Sequence, residues 1–420
     1  MLSKALGNWL TIAAAISLPP LLAQETTSAP PKTWIDPDTG HRVVRLTDEP
    51  GSASLYFNQN GYTADLKKMV YTTPQGISVL DLATHATKQV VSGRVRIIVT
   101  GRKTQNVYYT RGDAVFATDV DSGATREIAK IPRRGTTQSI VTVNADETLL
   151  AGTYTEIGRG ADYNSSRPDG PQPQALEQPL NKGQMMEQRL AAHYPMGLFT
   201  MNIQTGELKV ILNSTDWLNH LEFSPTDPTL LMFCHEGPWH KVDRIWTMRT
   251  DGSHITKVHT RTMTMEIAGH EFWSSDGKTI WYDLQTPRGE VFWLAGYNVE
   301  NGERTWYHLQ RDEWSIHFNV TRDGTLFCGD GGDPGQVAHA KDGEWIYLFR
   351  PEKIPNRDGI RLPGFVDAGV FRAERLVNMS KHNYRLEPNV SFTPDQKWVV
   401  FRSNMFGPTY VFAVEVAKAQ

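Results

Sequence analysis

The segment SSDGKTIWYD (274–283) joins a polar turn directly to an apolar, strand-like run. A turn followed by such a run begins at seven places, most of them 38 to 50 residues apart. The seven are TADLKKMVYTT (63–73), GRKTQNVYYT (101–110), NADETLLAGTY (144–154), SPTDPTLLMF (224–233), SSDGKTIWYD (274–283), TRDGTLFCGD (321–330) and TPDQKWVVFRS (393–403). Several runs lead into a second turn and a polar strand, as in DVDSGATRE (119–127). This recurrence is typical of antiparallel sheets arranged as repeats.

The repeat predicts an all-β fold, a seven-bladed β-propeller with short loop and helical insertions. Two intervals between units are longer than the others, 144–224 and 321–393. We expect both to carry loop insertions on a blade face, one with a helix-compatible segment at 169–192 and one around 351–373. The early strand HRVVRLT (41–47) precedes the first unit, so we expect it to close the ring by pairing with the last blade.

The N-terminus is predicted to be a targeting segment. Lys4 precedes a short apolar run, and cleavage after Ala23 would make residues 1–23 a secretory signal peptide, followed by a linker at 24–33. The propeller domain would then span 34–420, and the mature protein would be periplasmic or secreted, with no stable membrane span. An uncleaved membrane anchor is the alternative that the sequence leaves open.

The composition is that of an ordinary globular protein, with 39% hydrophobic and 21% charged residues. A net charge of −3 gives no electrostatic case for binding nucleic acid. The two cysteines, Cys234 and Cys328, lie in strand-like runs, so we expect two buried free thiols rather than a disulfide framework. Nothing in the sequence indicates the oligomeric state.

Polar residues recur four positions before the turn in four successive units. They are His220 of HLEFSPTD, His270 of HEFWSSDG, His317 of HFNVTRDG and Asn389 of NVSFTPDQ. Equivalent positions in neighbouring blades face the same end of the central channel, so these side chains should ring one mouth of it. Imidazoles clustered around an axis need partners, which a metal ion or a substrate would supply. The alternative for Gly269-His270 is a structural role, as in the Gly-His dipeptide of WD-type propellers.

Two further segments carry clusters of polar side chains. CHEGPWHKVDRIW (234–246) contributes His235, Glu236, Trp239, His240 and Arg244, and SKHNYRLEPN (380–389) contributes His382, Tyr384, Arg385 and Glu387. Together with GHEFWSSDG (269–277), HFNVTRDGTLFCGDG (317–331) and SFTPD (391–395), the first segment resembles the oligogalacturonate lyases, seven-bladed propellers of pectin degradation. The similarity covers nearly all of the chain after the leader.

The resemblance implies β-elimination at a 4-linked uronic acid. A base removes the C5 proton, and the C4–O bond then breaks to leave an unsaturated sugar. By resemblance His270 is the base, which suits a neutral histidine, and Arg244 binds the substrate carboxylate, on which negative charge builds up. The residues expected to contact the substrate are His220, His235, Glu236, Trp239, His240 and Arg385.

The resemblance also implies a manganese site, held by His317 together with a Gln and a His-Pro-His motif. This chain departs from that pattern. Glu387-Pro388-Asn389 stands in place of His-Pro-His, and Tyr384 stands where the Gln would be. Glu and Asn oxygens with one imidazole form a harder ligand set, which suits Mn²⁺, Ca²⁺ or Mg²⁺ better than zinc.

The predicted cofactor is therefore a divalent cation, Mn²⁺ before Ca²⁺ or Mg²⁺. Its predicted ligands are His317, Glu387, Asn389 and His382. A metal-free site, with Arg244 or Arg385 neutralising the carboxylate, is the other hypothesis. The predicted function is an exported polysaccharide lyase that cleaves acidic, uronic-acid oligosaccharides. The alternative is a non-catalytic propeller that binds acidic glycans or a protein partner.

Overall fold

The computed structural model describes residues 30–131, 137–156 and 181–419. The propeller belongs to one compact unit, Lys32–Gln420. The predicted signal peptide (1–23) and most of the predicted linker (24–33) lie outside the described residues. Within the described part of the chain, no helix is long and apolar enough to cross a membrane.

The strands group into seven blades, and the first three blades follow two N-terminal strands. Those two are β1 (Thr33–Ile35) and β2 (His41–Arg45). Blade 1 contains β3 (Ala53–Ser54), β4 (Lys68–Thr73), β5 (Gly76–Asp81) and β6 (Thr87–Ser92). Blade 2 contains β7 (Arg96–Thr100), β8 (Asn106–Arg111), β9 (Ala114–Asp119) and β10 (Thr125–Lys130). Blade 3 contains β11 (Thr137–Val143), β12 (Leu149–Thr155), β13 (Met196–Asn202) and β14 (Leu208–Ser214).

The remaining four blades continue the same antiparallel order. Blade 4 contains β15 (Trp217–Phe223), β16 (Leu230–Glu236), β17 (Ile245–Arg249) and β18 (Thr256–Lys257). Blade 5 contains β19 (Ile267–Trp273), β20 (Thr279–Gln285), β21 (Phe292–Asn298) and β22 (Arg304–Leu309). Blade 6 contains β23 (Phe318–Val320), β24 (Phe327–Gly329), β25 (Trp345–Lys353) and β26 (Val366–Asn378). Blade 7 contains β27 (Ser391–Phe392), β28 (Trp398–Ser403) and β29 (Tyr410–Lys418), completed by β2 and β1. The predicted seven-bladed propeller is confirmed.

Apolar contacts between neighbouring blades hold the ring together. In β16 and β20 the sequence is a nearly continuous apolar run, because both faces of these strands are covered by adjacent blades. Met232 and Ile245 of blade 4 share one buried cluster with Tyr282 and Leu284 of blade 5, all fully buried. Burying a side chain of this size contributes about 1.5–3 kcal/mol.

The ring closes through the N-terminal strand, as the sequence predicted. β2 pairs antiparallel with β29, and Val43 lies opposite Val414 in that register. Both valines are fully buried. The first strands of neighbouring blades also contact one another, β7 with β11, β11 with β15 and β23 with β27. These strands line the central channel, so residues at their starts share one mouth.

The two long intervals differ from each other in structure. The first contains α1 (Lys182–Ala192), which begins at a capping box formed by Asn181 and Gln184. The helix-compatible segment at 169–192 is thus a helix over its described part, and 157–180 lies outside the described residues. A 3₁₀ turn, η1 (Arg311–Glu313), precedes blade 6.

The second interval contains a loop insertion, as predicted, over residues 354–365, which are exposed. The rest of 351–373 belongs to β25 and β26, which form a long hairpin at the outer edge of blade 6. β26 pairs in parallel with β22, so blades 5 and 6 share one eight-stranded sheet. Pro351 is tolerated because β24 ends its pairing at Phe349 opposite Phe327. Beyond that point β25 has a free edge, where a missing N–H costs little.

Both cysteines, Cys234 and Cys328, are buried free thiols, as predicted.

Candidate active site

Backbone irregularities in the first strands present the polar ring. The pairing of β15 with β16 and of β19 with β20 shifts register at His220 and His270. Both histidines have a φ of 46°, and Asn389 has a φ of 54°. A bulge of this kind bends the strand and re-aims a side chain. The equal spacing in sequence therefore corresponds to an equal local geometry in blades 4 and 5.

Each ring histidine is held by a carboxylate from the second strand of its own blade. The pairs are His220 Nε2 with Glu236 Oε2 (3.0 Å), His270 Nδ1 with Asp283 Oδ1 (3.0 Å) and His317 Nδ1 with Asp330 Oδ2 (2.7 Å). The three acids are all buried. Sequence reasoning missed them as partners. The available signal was an acid closing an apolar second strand, as in LLMFCHE, TIWYD and TLFCGD.

His270 has the geometry of a base. A carboxylate is an acceptor only, so Asp283 fixes the hydrogen of His270 on Nδ1 and leaves a lone pair on Nε2. Nε2 has no hydrogen-bond partner among the described residues, and the side chain keeps 12% of its surface exposed. The ring centroid lies 4.9 Å from that of His317 and 5.3 Å from that of Trp239. Proton abstraction by Nε2 would leave an imidazolium that Asp283 stabilises.

His317 is fully buried and firmly oriented. Oδ1 of Asp330 accepts the backbone N–H of His317 at 2.9 Å and that of Ile316 at 3.1 Å, while Oδ2 binds Nδ1. Oδ2 also accepts the N–H of Asn389 at 3.3 Å, which ties blade 7 to blade 6. The acidic turn that contains Asp330 is therefore the anchor of His317.

Tyr56 completes the hydrogen bonding of His317, and the sequence did not predict it. Its hydroxyl lies 3.1 Å from His317 Nε2, and the ring of Phe57 packs 4.5 Å from the imidazole. Tyr56 lines two cavities of the central channel, of about 330 and 160 Å³. Burial raises the pKa of the Tyr56 hydroxyl well above its ordinary value, and Glu387 and Glu271 raise it further. Tyr56 is therefore a neutral phenol.

Tyr56 does not stand out in the repeat pattern because blade 1 departs from the register. Its first strand, β3, has only two residues, and Tyr56 lies in the loop after it rather than four positions before Thr63. Tyr56 is an aromatic residue at a different position relative to its turn, so the spacing of the ring histidines does not identify it.

Arg244 lies at the centre of a buried ion network. Its Nη1 donates to Glu236 Oε1 at 2.7 Å, and its Nε and Nη2 donate to the two oxygens of Glu271 at 3.0 and 3.3 Å. Trp239 Nε1 donates to Glu236 Oε1 at 3.0 Å, and the Arg244 guanidinium lies 5.1 Å from the Trp239 ring. Cys234 Sγ donates to Glu271 at 2.5 Å.

In this network, opposite charges shift the pKa values more than burial does. Burial works to raise the pKa of Glu271, but Arg244 and His220 lower it to about 2. Burial likewise opposes the fall in the pKa of Glu236, which Arg244 and His220 bring well below its ordinary value. Burial works to lower the pKa of Arg244, yet the two carboxylates raise it well above normal. All three groups are therefore ionised.

The structure places Arg244 among protein partners, and its contact with a substrate carboxylate stays a prediction. The side chain is only 3% exposed, and both carboxylate partners already engage it. A substrate carboxylate would have to compete with a buried glutamate, whose release would leave an unpaired charge. Arg244 also holds Glu236, the partner of His220.

The other predicted substrate contacts divide into two groups. Trp239 lies beside His270, on the same side as Glu236. His235 alternates to the opposite face of β16, where it packs 4.9 Å from the Trp246 ring, so the structure does not bring it to the ring. Only the backbone carbonyl of His240 has a described contact, with Arg261. Arg385 is exposed, and its described bond is from its backbone N–H to Asn383.

Two of the four predicted metal ligands are committed elsewhere. His382 uses both ring nitrogens, Nδ1 with Ser403 Oγ at 2.9 Å and Nε2 with the Leu386 carbonyl at 2.6 Å. Asn389 accepts the N–H of Phe57 at 3.2 Å through Oδ1 and donates to the Glu387 carbonyl at 3.0 Å. His382 therefore braces its own loop and Asn389 joins blade 7 to blade 1, so neither is disposed as a ligand.

The remaining donors do not fit a manganese centre. Glu387 Oε2 lies 3.8 Å from His317 Nε2, and that nitrogen already receives Tyr56. Across residues 30–131, 137–156 and 181–419, no three His, Cys, Asp or Glu side chains are grouped so as to hold a metal ion. One shared imidazole and one half-exposed carboxylate fall short of the set that the resemblance implied.

Arg402 replaces an acid in blade 7. Extending the β27–β28 register from Ser391 opposite Val400 puts Asn389 opposite Arg402, just as His317 lies opposite Asp330. Arg402 is half-buried, and its Nε donates to the Glu387 carbonyl at 2.8 Å. Burial lowers the pKa of Arg402, while Glu387, Tyr56 and Asp330 act to raise it. The fourth position of the ring thus carries a positive charge where the other three carry negative ones.

The Arg244 network predicts an acid-sensitive contribution to stability. Because the folded pKa of Glu271 is about 2, below its ordinary value of 4.5, its contribution is present above about pH 4.5 and is lost as the pH falls toward 2. Glu271→Gln should lower the free energy of unfolding by about 3 kcal/mol at pH 7. The difference from the parent protein should be smaller at pH 3, as measured by urea denaturation.

Glu290→Gln is the matched control, because Glu290 is exposed in a turn of the same blade. It should change the free energy of unfolding by no more than about 0.5 kcal/mol at either pH. An equal penalty for Glu271→Gln at pH 7 and pH 3 would contradict the ionised network.

Comparison with known proteins gives one consistent family. The family model described as oligogalacturonate lyase matches residues 25–419. Two relatives are each 25% identical over 404 residues, which cover 91% of this chain and 95% of the relative. They are an oligogalacturonide lyase of Pectobacterium atrosepticum and an oligogalacturonate lyase of Dickeya dadantii.

Solved structures show the same fold. An oligogalacturonate lyase in complex with manganese superposes with a TM-score of 0.73 at 23% identity, covering 92% of this chain and 96% of its own. An oligogalacturonate lyase from Vibrio parahaemolyticus gives a TM-score of 0.72 at 23% identity, with the same coverage. With the match of the family model over nearly the whole length, the chain belongs to the oligogalacturonate lyase family of polysaccharide lyases.

Proposed function

We propose that this protein cleaves 4-linked uronic-acid oligosaccharides, such as oligogalacturonides, by β-elimination with His270 as the base. The observation that carries the proposal is the His270–Asp283 pair, which leaves an unpartnered Nε2 at the mouth of the channel. The family match and the names of the two bacterial relatives support the substrate class. His270 Nε2 would take the C5 proton, the C4=C5 double bond would form, and the C4–O4 bond would break.

Arg402 is the cation that we propose for the substrate carboxylate. Beyond the Nε bond to the Glu387 carbonyl, its guanidinium has no hydrogen-bond partner among the described residues. It keeps some exposure, unlike Arg244, and a guanidinium binds a carboxylate with two parallel hydrogen bonds. Such a contact strengthens as negative charge builds on the carboxylate during loss of the C5 proton.

The proposed reaction does not require the expected divalent cation, and chelation tests this point. A relative of known structure binds manganese. Here His382 and Asn389 are committed to other bonds and Tyr56 shares the nitrogen of His317, so the four predicted ligands do not form a complete metal site. The same departure favours a second candidate, a propeller that binds acidic glycans without cleaving them.

An assay on a panel of uronic-acid oligosaccharides separates these candidates. We expect an absorbing, unsaturated product from a 4-linked uronide, with a rate that chelation of divalent ions does not lower. Saturable binding without product on the whole panel would support the binding protein and refute the lyase. Product that disappears with chelator and returns with Mn²⁺ would restore the metal site.

His270→Ala should lower kcat by about 100-fold or more, because the base contributes on that order. His308→Ala is the control, since His308 lies on the outermost strand of the same blade and packs on Trp293. Unchanged turnover in His270→Ala, with the fold intact by circular dichroism, would assign the base to another residue.

Asp283→Asn tests the tautomer of the base. An amide can donate to Nδ1, which would move the histidine hydrogen to Nε2 and block proton abstraction there. We expect kcat to fall by about 100-fold or more while KM changes little. Asp276→Asn, in the turn at the far end of the same blade, should leave both constants unchanged. A rise in KM alone would show that Asp283 serves binding instead.

We also propose that residues 1–23 direct export and that the mature protein acts in the periplasm or outside the cell. The support is the basic residue followed by a short apolar run in the sequence. Intact mass of protein recovered from a secreting host should match a chain that begins at Gln24. A mass that retains Met1, with the protein in the membrane fraction, would favour an anchor.

A further inference from the structure

Tyr56 lies where the ring histidines meet. His317 contacts the Tyr56 ring at 5.2 Å and the His270 ring at 4.9 Å between centroids. Tyr56 is partly exposed and lines two cavities, neither of which His270 or His317 lines, whereas His317 is fully buried. Tyr56 and His270 both adjoin His317, and of Tyr56 and His317 only Tyr56 keeps exposed surface.

The hydrogen bonds define the direction of each donor. Asp330 accepts two backbone N–H groups through Oδ1, so it acts as a carboxylate and must accept the hydrogen of His317 Nδ1. In the neutral imidazole Nε2 is then an acceptor, and the Tyr56 hydroxyl donates to it. Asp330, His317 and Tyr56 form a line of hydrogen bonds that ends at the channel wall.

The geometry points to a second proton-transfer group for the proposed elimination: Tyr56 is the proton donor to the leaving O4 oxygen, and Asp330 and His317 are its positioning residues. The inference rests on the proposed function, since it needs a C4–O4 bond to break. In a 4-linked galacturonide the C5 hydrogen and O4 project from opposite faces of the sugar ring. One residue cannot serve both atoms, so a donor separate from His270 is required.

The step balances in atoms and charge. His270 Nε2 takes the C5 proton, the C5–H electrons form the C4=C5 bond, and the C4–O4 electrons leave with O4. O4 takes the hydrogen of the Tyr56 hydroxyl, which turns from His317 Nε2 to the substrate. When product leaves, the proton held by His270 passes through water to the Tyr56 oxygen. The net change is transfer of one proton from C5 to O4.

Among the described residues, the other polar side chains near His317 are less suited to donate a proton to O4. Glu387 Oε2 lies 3.8 Å from His317 Nε2, and a carboxylate is an acceptor only. His220 is bonded through Nε2 to Glu236. Tyr384 is buried, and its hydroxyl faces the Asp330 carbonyl at 3.5 Å. Tyr56 alone of these groups combines a hydrogen with access to the channel.

Tyr56→Phe tests the inference with two substrates. On a galacturonide oligosaccharide we expect kcat to fall by about 100-fold or more with little change in KM. On a synthetic galacturonide with a 4-nitrophenyl ether at O4, whose aryloxide leaves without a proton, we expect kcat close to that of the parent protein. Tyr109→Phe is the matched control, because it removes a hydroxyl bond of the same 3.1 Å length, to Thr118 in blade 2.

The outcomes separate this inference from the proposed function. Loss on the oligosaccharide with retained cleavage of the aryl ether supports a proton donor, and retained cleavage shows that the variant is folded. Equal loss on both substrates, or full activity on the oligosaccharide, overturns the role of Tyr56 while the lyase stands. Absence of product from the parent protein on both substrates overturns the proposed function and this inference with it.

Discussion

The site depends on pairing each ring histidine with a buried acid of its own blade. An imidazole beside the channel axis has two nitrogens to satisfy, and a buried carboxylate is costly without a donor. Both needs are met by Glu236, Asp283 and Asp330, which lie near the end of a second strand or directly after it, beside the start of the first. The propeller repeat thus supplies the same pair of a histidine and a carboxylate three times. The residues around each pair distinguish one pair from another.

Those surroundings differ in charge. In blade 4 Arg244 joins the pair and locks it into a network of ionised groups, so His220 is held in one place by Glu236. In blade 5 nothing else binds His270, and its second nitrogen stays open to the channel. In blade 6 Tyr56 takes the second nitrogen of His317. Among the described residues, the first histidine is held by an ionised carboxylate, the second has one nitrogen without a partner, and the third bonds to a neutral hydroxyl.

The sequence predicted what repeats and missed what does not. The seven turns and strands predicted the propeller, its closure by β2 and the common mouth shared by His270 and His317, because each depends on local pattern and register. It missed Asp283 as a partner because the register comparison covered only the first strands, whereas Asp283 lies on a second strand, β20. It missed Tyr56 because β3 is short, and the loop after it is placed by packing between blades. The partners of Arg244 could not be predicted either, because Glu236 lies in blade 4 and Glu271 lies in the bulge of blade 5.

The residues of blade 7 differ from the metal-ligand pattern that the resemblance implies, yet they can still form part of a site for a uronate. A divalent ion at His317 would need that nitrogen, which Tyr56 occupies, and would need Asn389 to leave Phe57. The positively charged Arg402 stands at the position where the other blades carry an acid, so blade 7 offers no carboxylate there to a cation. The same positive charge favours an anionic substrate group. Under the proposed function, Arg402 would attract the substrate carboxylate and Tyr56 would supply a proton, and elimination from a uronate uses both.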